Sequence, residues 1–139
     1  MNTTIDRFEG EHDFLSNFFP CRIEFEGKEY PTSEHAFQAA KTLDAAEREK
    51  IRLAKKPGSA KALGKRVSLR RNWSFERTAW METVLRIKFT DPGLRERLRA
   101  TGTAELVEGN TWGDKFWGVS GGQGENRLGR ILMKLRAEL

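Results

Sequence analysis

The chain has 139 residues, 37% of them hydrophobic and 32% charged, with a net charge of +5. That length predicts one domain, residues 1–139, with a core of its own, and no apolar run approaches the roughly 20 residues of a membrane span. The N-terminal residues, Met1 to Arg7, hold no apolar signal-peptide region, so a cytoplasmic location with no membrane partner is expected. Cys21 stands alone, which excludes a disulfide framework and a cysteine-based metal site. With only His12 and His35 besides, a metal centre would rest mostly on carboxylates. No metal and no other cofactor is expected.

Charge is distributed unevenly. Residues 1–40 hold 8 acids and 3 bases, residues 41–139 hold 12 acids and 22 bases, and between Arg48 and Arg71 stand 10 bases and one acid. Such a run can read nucleic acid or a phosphate-bearing ligand; it can equally be a solvated helix face.

Ile5 to Phe8 reads as a short strand. In Asp13-Phe-Leu-Ser-Asn-Phe-Phe-Pro20, three aromatics flank Ser16 and Asn17. Aromatics around one amide suggest a stacking wall, Phe18 included, with Asn17 as its polar reader. The alternative is a loop that plugs the core, with Asn17 holding backbone. Arg22-Ile-Glu-Phe-Glu26 alternates with period two, and Glu26-Gly27 turns the chain back through Lys28-Glu-Tyr30, a hairpin.

That hairpin delivers Pro31-Thr-Ser-Glu-His-Ala-Phe-Gln-Ala-Ala-Lys41, predicted as helix over 32–43. Thr32 or Ser33 can cap it, and Glu34 falls in the first turn, where a carboxylate complements the helix dipole. Glu34, Gln38 and Lys41 then share one face. A carboxylate, an amide and an amine on one stripe, with Phe37 and Ala40 beside them, can line a pocket, and Ser33 and His35 join it as substrate-binding candidates; the alternative is a solvated face on an ordinary amphipathic helix.

Asp44 caps a second helix that Pro57-Gly58 is expected to stop. Ser59 to Arg66 reads as a short third helix. Its Gly64-Lys65 is no phosphate loop of the Walker type, because Arg66 replaces the required Ser or Thr. Apolar residues at 80, 81, 84, 85, 87 and 89 predict that the helix from Ser74 to Phe89 is the most buried, with Trp80 and Met81 in the core. Asp91-Pro-Gly opens another helix, carrying Leu94 and Leu98, which Thr101-Gly102 ends.

The last third changes character. Ala104 to Glu108 predicts a short strand. Asn110-Thr-Trp-Gly-Asp-Lys-Phe-Trp-Gly118 and Gly121-Gly-Gln-Gly-Glu-Asn126 follow, and Leu128, Ile131, Leu132 and Leu135 mark a final helix with Asn126 as its N-cap. A glycine-rich loop entering a helix offers free N–H groups to an anion. It is not the dinucleotide fingerprint, since the third glycine is missing and no clear strand precedes it. With Asp114, Trp112 and Trp117 nearby in sequence, Gly118, Gly122 and Gly124 form a plausible ligand loop in which rings stack on a base. The alternative is that the two tryptophans seal the core. The whole predicts an α+β fold, predominantly helical: a compact single domain with a small antiparallel β element near its start.

Phe14-Leu-Ser-Asn-Phe18, Tyr30-Pro-Thr-Ser-Glu-His35, Phe37-Gln-Ala-Ala-Lys41, Trp117-Gly118 and Asn126-Arg-Leu-Gly129 stand in the order and approximate spacing of the NADAR (YbiA-like) family. Lys88-Phe89, Thr101-Gly102, Glu105-Leu-Val-Glu108 and Ile131-Leu-Met133 do so too, and the resemblance runs from about Phe8 to Arg136. It implies hydrolysis of an N-glycosidic bond between ribose and an exocyclic amine. The substrate that the resemblance implies is either a ribosylamino-pyrimidine phosphate, an early riboflavin intermediate, or guanine carrying ADP-ribose in nucleic acid. The family's key residues fall on Glu34, Lys41, Asp114, Trp117 and Asn126. Some relatives place an aspartate directly after the Trp-Gly pair, where this chain has Val119, which leaves Asp114 the better carboxylate on that side.

The chemistry suits these residues. A ribosylamine can ring-open to an imine, and a lysine amine can exchange with the base to hold the sugar as a Schiff base. Lys41 must be neutral to attack, so its pKa must be depressed by desolvation or a neighbouring cation. Glu34 would carry protons to the leaving amine. In the simpler alternative water displaces the base directly, with Glu34 or Asp114 as the general base. Expected partners are therefore a nucleotide-like small-molecule substrate or ADP-ribosylated nucleic acid, and a monomer is compatible with both. Two rivals stand beside this reading: a module that binds ADP-ribose without cleaving it, and plain nucleic-acid binding through the 48–71 segment.

Overall fold

The computed structural model describes residues 3–139, in an α+β arrangement of helices and two-stranded sheets. The chain divides into two units, Asn17–Lys88 and the remainder, the chain up to Ser16 together with Phe89–Leu139. Among the described residues no helix is long and apolar enough to cross a membrane.

In the second unit, β1 (Thr4–Ile5) pairs in parallel with β4 (Glu105–Leu106), shorter than the Ile5–Phe8 strand expected. A 3-10 helix, Gly10–Leu15, buries Phe14 and Leu15, and the Arg97 guanidinium lies over the Phe14 ring at 4.3 Å. The helix opened by Asp91 runs Pro92–Ala100 (α5); the aspartate accepts the Leu94 N–H at 2.9 Å, as its position before Pro92 predicts. Two residues each, Gly109–Asn110 (β5) and Val119–Ser120 (β6), pair in parallel. The last helix, α6 (Arg127–Ala137), buries Leu128, Ile131, Leu132 and Leu135, all four residues that the periodicity assigns to its inner face.

Asn17–Lys88 is built around one helix. β2 (Pro20–Phe25) and β3 (Lys28–Thr32) form the antiparallel hairpin, turning at Glu26 and Gly27 with φ of 48° and 84°. Both central residues are left-handed, which matches the twist of the flanking strands. Ile23, Phe25, Tyr30 and Thr32 point inward, and Phe25 meets Tyr30 and Trp80 edge to face.

β3 runs straight into α1 (Ser33–Ala40), whose N-cap Thr32 accepts the His35 N–H at 3.1 Å. Every one of its eight residues is buried. The sequence pattern places the most buried helix at 74–89; the helix found there, α4 (Trp73–Lys88), buries five of its sixteen residues, and α1 takes the central place instead. The physical reason is its surroundings: β2, β3, α2 (Ala45–Arg52), α3 (Pro57–Gly64) and α4 all pack against it. Ala36, Ala39 and Ala40 let them come close. Trp80, predicted as core, is half-buried, held between the Phe25 ring and the Arg70 guanidinium, 4.2 Å over its ring.

Pro57 starts α3 and does not stop α2, which already ends at Arg52. Proline lacks an N–H, and the first helical position leaves that group unused. At the other end of α3, Gly64 is fixed by close approach: a Cβ there would overlap the Gln38 side-chain oxygen. The basic run splits. Arg48 pairs with Glu26 at 2.8 Å and Arg52 pairs with Glu49, so two of its bases already hold acidic partners at the surface.

Candidate active site

Burial of all of α1 rules out the solvated-face reading of its polar stripe. Glu34 is 8% exposed and Gln38 4%, so this is no solvated face. A carboxylate and an amide inside a packed unit require partners. Gln38 Nε2 donates to Glu34 Oε2 at 2.8 Å, one helical turn away. The Glu34 backbone N–H, an orphan of the first turn, donates to the Asn17 carbonyl at 3.0 Å.

Lys41 completes the row as the residue that ends α1. Its backbone carbonyl accepts the Arg70 N–H at 2.7 Å, and its Nζ reaches the Gly64 carbonyl at 3.5 Å. Burial pushes the amine pKa below the ordinary lysine value; Glu34 opposes this, while Lys65, Lys61 and Arg77 add to it. Desolvation and like charge both disfavour the ammonium, and the neutral amine is the form that attacks carbon. Lys61, Lys65 and Arg77 escaped the sequence reading. The one available signal was the four-residue spacing of the two lysines, beside Gly64, on a helix that must cover α1.

The residues around this row hold it in place. Asn17 is buried; its side-chain oxygen accepts the Ser33 hydroxyl at 2.8 Å and its Nδ2 lies 3.4 Å from Met81 Sδ. Ser33 and Asn17 thus join α1 to the segment before β2. His35, expected beside the substrate, is 1% exposed with both ring nitrogens engaged, Nδ1 with Thr32 Oγ1 at 2.7 Å and Nε2 with the Ala54 carbonyl at 2.9 Å. A carbonyl only accepts, so Nε2 carries the proton and Nδ1 takes the threonine hydroxyl. Burial lowers this imidazole's pKa, against the Ala54 hydrogen bond. Phe18 is 44% exposed. An open depression lined by Cys21, Arg22, Glu29, Tyr30, Pro31 and Arg52 contains none of the predicted site residues.

The 110–126 segment, in the other unit, is more tightly tied than its glycines suggest. Asp114 Oδ1 accepts the N–H groups of Phe116 and Trp117 at 3.1 and 2.9 Å, a local turn. Asn110, which the sequence reading passed over, clamps Asp114 from both sides: its Oδ1 accepts the Asp114 N–H and its Nδ2 donates to the Asp114 carbonyl. Trp117 is half-buried, edge-on to Phe116 at 4.7 Å, whereas Trp112 is 62% exposed. Gly118 is buried with the Glu108 carbonyl where its Cβ would stand, and Gly124, at φ 151°, lies equally close to the Gly118 carbonyl. Gly122 is exposed in the turn after β6.

Two expectations about this loop do not hold. Strand β6 does precede its glycines. The N–H groups where it enters α6 are not free for an anion: those of Glu125, Asn126, Arg127 and Leu128 donate to the carbonyls of Lys115, Gly118, Phe116 and Trp117. Asn126 precedes α6 in the left-handed region, φ 51°, and its side chain makes no cap bond. Its Nδ2 donates to the Leu106 carbonyl at 2.9 Å and its Oδ1 accepts the Glu108 N–H at 3.0 Å, tying the helix start to β4 and to the second residue beyond it.

The chain is 43% identical to the N-glycosidase YbiA of Escherichia coli (strain K12) over 145 residues, covering 100% of this chain and 90% of that one. It is 41% identical over 132 residues to a riboflavin biosynthesis protein of Vibrio vulnificus (strain YJ016), covering 92% of this chain and 36% of that longer one. The NMR structure of the E. coli protein YbiA matches with a TM-score of 0.85 at 42% identity, over 99% of this chain and 86% of that one. The NADAR domain model matches residues 6–139, and the chain belongs to the NADAR domain family.

Proposed function

We propose that the protein is an N-glycosidase, an N-glycosyl hydrolase that separates ribose from an exocyclic amine of a nitrogenous base, and that the Glu34–Gln38–Lys41 row performs the chemistry. The matched span, residues 6–139, is taken as one catalytic domain. The observation that carries the reading is the half-buried Lys41 amine, shifted toward its neutral form, at the end of a helix that also buries Glu34. A module that only binds ADP-ribose has no use for a poised nucleophile, and relatives named N-glycosidase favour cleavage over binding.

The steps balance. The ribosylamine opens to an imine at the sugar's C1, and the neutral Lys41 amine adds to that carbon. The C1–N bond to the base then breaks, the departing amine taking a proton for which Glu34 is the donor. Water adds to the Lys41 imine, releasing the free sugar and restoring the amine; the Glu34 carboxylate takes up a proton in that half of the cycle. Asp114, with one oxygen committed to its own turn, is the weaker choice of proton carrier.

A free ribosylamino-pyrimidine phosphate is the preferred substrate. The name of the Vibrio relative supports it, and the pairing of Arg48 and Arg52 with Glu26 and Glu49 removes two charges from the segment that would grip nucleic acid. Parallel incubation with the pyrimidine ribosylamine phosphate and with DNA carrying ADP-ribosylated guanine tests this. Release of the pyrimidine alone is expected. Cleavage of the DNA adduct alone overturns the substrate assignment, and cleavage of neither overturns the activity.

A further inference from the structure

Gln38 stands between Glu34 and Lys41 with only half of its amide in use. Nε2 serves Glu34, while Oε1 is buried with no hydrogen-bond partner. A buried acceptor left this way is costly and calls for a reason. Its position gives one. Oε1 packs against Gly64, the only kind of residue that leaves room for it, and the carbonyl of the same glycine accepts from Lys41 Nζ at 3.5 Å. Gln38 is four residues after Glu34 and three before Lys41, on the same helical face. The carbonyl that Lys41 Nζ reaches and the backbone that Gln38 Oε1 packs against thus belong to one residue, Gly64.

A neutral amine has two N–H bonds and one lone pair. We propose that Gln38 is a positioning residue: its Oε1 and the Gly64 carbonyl each take one N–H of the neutral Lys41 amine, which aims the lone pair at the sugar's C1, while Nε2 keeps the Glu34 carboxyl turned toward the departing base. This rests on the proposal that Lys41 attacks. An ammonium has a third N–H for which this pair of acceptors offers nothing, so the arrangement selects the form that reacts. The remaining charged groups that act on Lys41 are Glu34 from its own helix, Lys61 from α3, Lys65 just after it and Arg77 from α4. From α2, Glu47 is taken up by Thr42 and Ser68, and Arg48 by Glu26 and the Thr42 carbonyl. Gln38 thus leaves the list of substrate contacts.

The test separates this role from that of the lysine. Free ribose supplies an aldehyde carbon with no base to expel, so its cyanoborohydride-trapped adduct on Lys41 reads the aim of the amine alone. Gln38→Met keeps length and removes both hydrogen bonds; Gln38→Glu keeps an oxygen facing Lys41. Gln38→Met is expected to slow trapping about 10- to 100-fold, the scale of a misaimed reacting group, and to lower kcat to a similar degree with KM within about 3-fold. Gln38→Glu should retain trapping only at a pH high enough to offset the added carboxylate, which favours the ammonium of Lys41, and should lose kcat, because it places a second carboxylate on Glu34. Gly64→Ala, which drives a methyl into Oε1 with Gln38 intact, should reproduce the Gln38→Met trapping defect, read per folded molecule. Wild-type trapping in folded Gln38→Met or Gly64→Ala overturns the proposal. No trapping in the wild type overturns the lysine mechanism itself, and with it this role.

Discussion

The carboxylate of Glu34 and the amide of Gln38 meet at 2.8 Å across one turn of a wholly buried helix. Fold alone would fill those positions with apolar residues, which pack as well and need no partners. Retaining a carboxylate there makes sense if its proton is used. Glu34→Gln is expected to leave substrate binding largely intact and to cut kcat by about 10²–10⁴, the range for losing a general acid–base group. Asp114→Asn keeps the oxygen that accepts the N–H groups of Phe116 and Trp117, and should cost far less. Steady-state kinetics on the two variants decides; the opposite ranking moves the proton carrier to Asp114.

The lysine is tested by trapping. Borohydride reduction during turnover should add the sugar mass to the peptide containing Lys41, read by mass spectrometry. Lys41→Arg keeps the positive charge but cannot attack, because a guanidinium stays protonated. Both adduct and turnover should disappear. A Lys41→Arg protein that turns over near the wild-type rate, with nothing trapped in the wild type, leaves direct displacement by water as the mechanism.

The amine's pKa gives a third expectation. Desolvation disfavours the ammonium, so the folded value lies below that of the unfolded chain. The sign follows: ammonium burial costs stability in full at pH below the folded value, and that cost is relieved as pH rises toward the unfolded value. Reactivity runs the same way, since the neutral fraction grows with pH. Lys65 is one of the cations that lower the value, so Lys65→Gln should raise it and move the onset of trapping to higher pH. Lys65 is solvent-exposed, so added salt should shrink the difference from wild type. An onset that stays in place, or moves to lower pH, contradicts the electrostatic account.

What could be read from the chain and what could not divides by distance along it. Thr32, Asp44 and Asp91 cap helices three residues ahead, and Glu26-Gly27 turns a hairpin between adjacent strands; each signal is complete within a few residues. The burial of α1 is different. Its polar stripe matches a surface helix by periodicity, and only packing by α3 and α4, with Asn17 at one end and Gly64 at the other, places it inside. Asn126 looks like a cap because a side chain just before a helix usually finds the local N–H groups. Here those groups already serve carbonyls at 115–118, and the amide turns to a strand some twenty residues earlier. β1–β4 and β5–β6 are parallel ladders of two residues each, too short and too distant in sequence to leave any alternation.

Salt separates the two substrate classes. A protein gripping DNA through six to ten phosphates loses roughly 10³–10⁵ in affinity between 50 and 200 mM salt. With Arg48 and Arg52 already paired, kcat/KM for the pyrimidine ribosylamine should change far less over that range. A dependence as steep as that for DNA would restore the 48–71 segment as a nucleic-acid surface.

Asn126 allows the sharpest separation of support from chemistry. Its amide fills one donor and one acceptor site on the β4 segment, and its backbone is left-handed. Asn126→Ala orphans the Leu106 carbonyl and the Glu108 N–H, at about 1–3 kcal/mol for each group to the extent that it is buried, and leaves at a left-handed position a residue that tolerates it less well than asparagine. Asn126→Gly orphans the same groups but relieves the backbone, so it should be the less destabilised of the two. Asn126→Asp keeps the acceptor for Glu108 yet sets a carboxylate oxygen against the Leu106 carbonyl, where no proton is shared. Thermal unfolding should therefore rank wild type above Gly and Gly above Ala, with KM unchanged in the folded fraction of each. A stable Asn126→Gly protein whose KM rises steeply would show that the amide touches substrate and that its bonds to Leu106 and Glu108 give way when substrate binds.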